Sequence, residues 1–247
     1  MSTGTRAERF HRARRDPELA VLEGFHALKH ALRFGAEVLE AAAVSPERVL
    51  RLCETLAPDL VPRIASAIGE TVTSEELARM VPRPPASGVV AIARRRLASP
   101  AEALSGPGPE PAIALVAPRH AGNLGAAIRV AAAAGAAGVV AVGGRDPWEP
   151  EAVRGAAGLQ FALPVARADE LPASDRPLLA VDPGGDPLSG PLPARALLAF
   201  GSERDGLGTE VLSRADRRVA IPMRAGVSSL NLATAVAVLL YSSGRSR

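Results

Sequence analysis

The sequence predicts an α/β protein in two parts: a small N-terminal α/β domain and a larger C-terminal domain built on a mainly parallel sheet. Three observations carry this. After residue 111, short continuous apolar runs alternate with helix-length segments. Parallel strands covered by helices on both faces read this way. Residues 98–111, ASPAEALSGPGPEP, are rich in Pro, Gly and Ser and read as a linker. The chain has 247 residues, 47% hydrophobic and 22% charged, enough for one large or two ordinary globular domains. That composition excludes a wholly disordered chain. The expected division is a basic arm at 1–16, a first domain at 17–97, the linker at 98–111 and a second domain at 112–247.

In chain order, Arg6, Arg9, Arg12, Arg14 and Arg15 make residues 1–16 read as a disordered or loosely docked arm. Residues 21–34, VLEGFHALKHALRF, place Leu22, Phe25, Leu28 and Leu32 on one helical stripe, with Gly35 as the stop. Ser45 and Pro46 open a helix that runs to Leu56. Ser74, with Glu75 and Glu76, opens a short third helix. Residues 88–93, GVVAIA, read as a buried strand. In the second domain, strands are expected at 112–116, 138–142, 177–181, 196–200 and 217–221, and helices at 123–134, 207–215 and 229–242. Ligands on such sheets sit in the loops that follow the carboxyl ends of the strands.

Several function classes are excluded. Cys53 is the single cysteine, so an intrachain disulfide and a multi-cysteine zinc site are ruled out. The first 20 residues hold no apolar run, and the apolar run at 230–241 is too short to span a bilayer. A cytoplasmic protein without a metal is expected. The motif of the P-loop, the H-E-x-x-H zinc helix and the G-x-S-x-G nucleophile elbow are all missing. The five phenylalanines, Trp148 and Tyr241 are too scattered for a base-stacking sheet. Of 29 basic residues, 28 are arginine, and the net charge of +3 arises in the first 100 residues. The N-terminal cluster and Arg94, Arg95 and Arg96 suit phosphate contacts, although a solvated tail and a charged strand end would read alike.

Three segments carry polar residues in the loops that matter. GNLGAAIR, residues 122–129, follows the strand at 112–116. Asn123 suits a helix N-cap, and Arg129 is a charge on an otherwise apolar helix, aimed at a phosphate or ribose or snorkelling from the helix edge. FGSERDGLG, residues 200–208, ends a buried strand in a Gly-bearing turn that holds Glu203. IPMRAGVSSLNLATAVAVLLY, residues 221–241, runs from a strand end through a short loop into a helix capped by Ser228 or Ser229. Asn231 is a poor choice inside a first turn unless its amide has another task. VDPGGDPLSG, residues 181–190, resembles an acidic-glycine nucleotide loop, but Pro183, Pro187 and Pro191 prevent the helix that should follow. It reads as a loop.

In this order and near these spacings, the three segments resemble the motifs of the SpoU (TrmH-type) branch of the SPOUT RNA methyltransferases. LEGFHALKHAL and SGVVAIA, in the first domain, are similar to the family's RNA substrate-binding domain. The chain departs from the family at His120-Ala121, where Asp-Pro is frequent, and in VRGAAGLQF, which lacks a serine before its glycine. The resemblance implies a deep trefoil knot near the C-terminus, S-adenosyl-L-methionine as cofactor and a homodimer. It implies cofactor contacts at Gly201, Ile221 and Leu230, and catalytic-site positions at Asn123, Arg129, Glu203, Ser229 and Asn231. The implied reaction is methylation of a ribose 2′-hydroxyl in RNA. Ribosomal RNA is the expected substrate, because of the N-terminal domain, with transfer RNA as the alternative. An inactive knotted RNA-binding or ribosome-assembly protein would have no reason to keep Arg129, Glu203 and Asn231 together.

Overall fold

The computed structural model describes residues 4–242; the first three residues of the predicted arm and the last five of the predicted second domain lie outside them. The chain forms two compact units. One holds the residues up to Arg96 together with Trp148–Ala162; the other holds Leu97–Pro147 and the residues from Leu163 onward. The segment Trp148–Ala162 therefore belongs to the N-terminal unit and not to the domain expected at 112–247. Packing decides this: Trp148, Val153 and Phe161 are buried in that unit's core, and the rings of Trp148 and Phe161 meet edge-on at 5.0 Å.

The first unit contains α1 (Arg6–Ala13), β1 (Leu19–Glu23), α2 (Phe25–Arg33), β2 (Val38–Ala43), α3 (Pro46–Leu56), α4 (Val61–Ala67), β3 (Glu70–Thr71), α5 (Ser74–Met80) and β4 (Val89–Arg94). Its sheet runs β1-β4-β2-β3, with β4 antiparallel to both neighbours and β2 parallel to β3. Successive residues of β1 bury on opposite faces. Ala20 and Leu22 join a core with Phe25, Leu28 and Ile64, while Val21 joins a second core with Phe10, Leu77 and Met80. This alternation overturns the start of the helix expected at 21–34. Gly24, at φ 102°, separates the strand from α2, which keeps Phe25, Leu28 and Leu32 of the expected stripe. Leu22 lies three residues before Phe25 and so mimics helical spacing. The short helix expected from Ser74 is present, but Thr73 caps it, in a reciprocal pair with Glu76.

The loose basic arm is also corrected. Thr5 and Glu8 cap α1 reciprocally, and Phe10 and Ala13 are buried beneath it. Arg6 and Arg9 bond Glu40, Arg6 also bonds Glu70, and Arg14 bonds Glu23. The fully buried Glu23 carboxylate takes a second guanidinium from Arg154 at 2.7 Å. These arginines satisfy carboxylates of their own unit, because a buried carboxylate is costly without a partner.

The chain continues with α6 (Pro100–Leu104), β5 (Ala112–Val116), α7 (Ala121–Ala133), β6 (Val139–Val142), α8 (Pro150–Gly155, in the segment of the first unit), β7 (Val165–Ala168), β8 (Leu178–Pro187), β9 (Leu197–Phe200), α9 (Thr209–Arg214), β10 (Arg217–Ala220) and α10 (Leu232–Ser242). The second unit's sheet is wholly parallel, in the order β10-β8-β9-β5-β6-β7. β7 escapes the sequence because Arg167 interrupts an already short edge strand.

The expected linker is part of this unit. Ser99 caps α6, whose Ala103 and Leu104 are buried. A Cβ on Gly138 would lie 2.3 Å from the Ala103 carbonyl, so only glycine lets α6 press on the start of β6. Arg176, 3% exposed, holds the turns that follow by donating to the carbonyls of Leu104, Gly106 and Glu110. Burial pushes this guanidinium's pKa down, and nearby Arg195 adds to the effect. Pro and Gly mark turns here, but an internal cation fastens them.

Candidate functional site

β8 and the loops after β9 and β10 enclose a cleft of about 320 Å³ in the second unit, lined by residues that include Phe200, Gly201, Glu203, Ile221, Ser229 and Leu230. Adjacent parallel strands place these loops side by side at their carboxyl ends. β9 stops at Phe200, and the chain folds back so tightly that Ser202 and Gly206 exchange backbone hydrogen bonds of 3.2 and 3.1 Å. A Cβ on Gly201 would fall 2.0 Å from the Gly206 carbonyl carbon. Gly206, at φ 67°, completes the turn.

Residues from the three segments singled out by sequence meet at the rim. The Asn123 amide donates to Glu203 Oε1 at 2.8 Å, and the Asn231 amide donates to Asn123 Oδ1 at 3.2 Å. Asn231 Oδ1 in turn accepts from the Ala233 backbone N–H at 2.9 Å, which makes Asn231 the cap of α10. The other Glu203 oxygen accepts from the Arg119 backbone at 3.4 Å. Glu203, Asn123, Asn231 and the start of α10 thus form one relay, which α7 and α10 hold by packing together. Burial favours the neutral form of Glu203, but the bonds from Asn123 and from backbone N–H groups outweigh it, so its pKa is lowered.

Two local expectations are corrected here. α7 begins at Ala121, so Asn123 sits inside its first turn and turns its side chain to Glu203 instead of capping the helix. α10 begins at Leu232, and Asn231, not Ser228 or Ser229, caps it. Gly201, Ile221, Ser229 and Leu230 all line the cleft with Glu203. Arg129 stands apart: it is exposed on α7 and makes no hydrogen bond or ion pair among the described residues. Sequence reasoning missed Val181, Asp182 and Pro183, which wall the cleft from β8, and Asp205, which pairs with Arg119 at 3.1 Å. The segment VDPGGDP, expected as a loop, is strand. The signal was present in the Asp-Pro-Gly-Gly run, but its prolines masked it.

The lining fits a cationic nucleoside cofactor. Phe200, Ile221, Leu230 and Leu232 offer apolar contact, and Gly201, whose Cβ would strike the Gly206 backbone, lets the turn fold tightly at the cleft wall. Asp182, Glu203 and Asp205 line the cleft with three carboxylates; Arg218 pairs with Asp182 and Arg119 with Asp205, which leaves Glu203 without an ion pair among the described residues. Among the described residues, no His, Cys, Asp and Glu cluster is arranged to hold a metal.

The sequence model of the SpoU rRNA Methylase family matches residues 110–241, more than half of the chain. The chain belongs to the SpoU rRNA Methylase family. A 23S rRNA (uridine(2479)-2'-O)-methyltransferase of Streptomyces viridochromogenes is 33% identical to this SpoU member over 145 residues, 53% of this chain and 50% of that protein. A Bacillus subtilis 23S rRNA (guanosine(2553)-2'-O)-methyltransferase, RlmP, is 29% identical over 236 residues, 90% of this chain and 86% of its own. The crystal structure of an AdoMet-bound rRNA methyltransferase from Sinorhizobium meliloti superposes with a TM-score of 0.74 at 25% identity, covering 96% of this chain and 93% of that one. The chain spans about half the length of these curated methyltransferase relatives, to which it is 33–34% identical over the aligned residues.

Proposed function

We propose that the protein transfers a methyl group from S-adenosyl-L-methionine to a ribose 2′-hydroxyl of ribosomal RNA, in the cytoplasm and as a homodimer. The observation that carries this reading is the relay of Glu203, Asn123 and Asn231 at the rim of a cleft whose wall includes the tight turn at Gly201. Names of relatives that match nearly the whole chain or half of it support ribosomal RNA over transfer RNA.

Gly201, Ile221 and Leu230 would hold the cofactor, largely through backbone. When bound, it supplies a methyl group already activated on a sulfonium. The chain's own residues supply position. Glu203 and Asn231 fix Asn123 from both sides, so its amide cannot rotate away from the cleft rim. Ser229, exposed beside Leu230, is free to orient a hydroxyl. Arg129, with its guanidinium unengaged among the described residues, is suited to an RNA phosphate. The trefoil knot belongs to the same proposal. Val227, Val238 and Tyr241, exposed on α10 and the loop before it, support a self-association surface; Tyr241 is 57% exposed.

The test is primer extension at low deoxynucleotide concentration on 23S rRNA and on transfer RNA, each incubated with the full chain and cofactor. A new stop next to one ribosomal nucleotide is expected. A stop in transfer RNA alone would change the substrate, and methyl transfer to neither would overturn the reading.

A further inference from the structure

We propose that Asp182 takes the ribose of the cofactor, accepting hydrogen bonds from its vicinal hydroxyls; this rests on the reading of the cleft as the cofactor site. Asp182 follows Val181, which pairs with Phe200 across β8 and β9, so it lies beside the backbone of Gly201. Its side chain is 17% exposed, and the residue is among those that line the cleft. Oδ1 is fully committed: it accepts from the Gly184 N–H at 3.0 Å and from the Arg218 guanidinium. Oδ2 has no hydrogen-bond partner among the described residues. A turn requires only Oδ1. The clamp therefore leaves one carboxylate oxygen oriented and available at the wall of the cleft.

The following glycines exist to build this clamp. A Cβ on Gly184 would approach Arg218 Nη2 at 3.0 Å and Asp182 Oδ1 at 3.1 Å. A Cβ on Gly185 would lie 2.6 Å from the Arg218 carbonyl carbon. Only bare backbone lets β10 close on β8 at the point where their register shifts, between Arg218 and Val219. That closure is what carries the Arg218 guanidinium to Asp182.

The order of strands assigns the ligand group. Glu203 is held by Asn123 and Arg119, and Asp205 by Arg119, all on the β9–β5 side. Asp182 faces the cleft from the opposite side, on β8 next to β10. The reacting end belongs with the relay, so the nucleoside end falls to β8. A nucleoside offers a carboxylate its ribose diol, and a carboxylate near a strand end is a general means of taking one.

Calorimetric titration of the full chain with S-adenosylhomocysteine and with its 2′-deoxy and 3′-deoxy forms tests this. The wild type should bind the parent compound about 10- to 100-fold more tightly than at least one deoxy form. Asp182→Ala should bind all three alike, at the weaker level. If Asp182→Ala fails to melt as a folded protein, Asp182→Asn keeps the shape, and its discrimination should shrink. Equal wild-type affinity for the three compounds, or a variant that weakens all three while keeping the discrimination, would overturn the role of Asp182. A wild type that binds none of them would instead overturn the cofactor reading itself.

Discussion

Arg129 and Glu203 show how differently two polar residues behave in one motif set. Glu203 is fastened by Asn123 and backbone N–H groups and serves the architecture of the rim as much as any chemistry. Arg129 is fastened by nothing among the described residues. Arg129→Ala should therefore leave the melting temperature and cofactor affinity unchanged or slightly higher, since alanine favours the helix. Single-turnover methylation should fall about 10- to 150-fold, the worth of a charge-assisted phosphate contact of about 1.5–3 kcal/mol. A variant that methylates at the wild-type rate would remove Arg129 from the site. For Glu203, the folded protein lowers the pKa below that of the unfolded chain, despite opposing burial. Its ionised form thus adds stability that is present above the unfolded value and lost as pH falls through the folded one. Urea melts across the acidic range should show Glu203→Gln less stable near neutrality, with the gap closing as pH drops. A gap independent of pH would mean that ionisation of Glu203 is not coupled to folding.

At the scale of elements, α1 and α6 are the instructive cases, because both come from segments whose composition reads as unstructured. Five arginines mask the apolar stripe of α1, yet Phe10 is fully buried against Leu77 and Met80. Phe10→Ala should cost about 3–5 kcal/mol of unfolding free energy in denaturant melts of the full chain, the typical cost of emptying a fully buried aromatic site. A loss below about 1 kcal/mol would return residues 1–16 to the loose arm that composition implies. α6 is hidden for another reason: its five residues lie among proline and glycine, and its anchor, Arg176, comes from about 70 positions further along. No local pattern can report such a partner.

At the scale of the whole molecule, the units are not the two halves of the sequence. The chain leaves the second unit at Trp148, contributes Trp148–Ala162 to the first, and returns at Leu163. A fragment of residues 108–247 loses α6 and carries Trp148, Val153 and Phe161 without the core that buries them. It should bind a hydrophobic dye and melt broadly, whereas the full chain should show a sharp transition by calorimetry. A fragment that melts as sharply as the full chain would show that residues 148–162 find burial elsewhere.

By itself the sequence determined the class, most of the second unit's strands, and three residues that the fold brings together, Asn123, Glu203 and Asn231. Those features are local: a buried parallel strand is a continuous apolar run, and a cap or tight turn needs its own residue type where it stands. The poor fit of Asn231 inside a helix was a true signal, since its amide and carbonyl serve both Asn123 and the α10 cap. Tertiary structure alone decided the rest. It turned 19–23 into a strand because two cores compete for its alternate residues. It placed Trp148–Ala162 in the first unit, and it brought Arg218 to Asp182 across a shifted register. Each of these depends on a partner distant in the chain, and spacing along a sequence carries no record of which distant surface a side chain will meet.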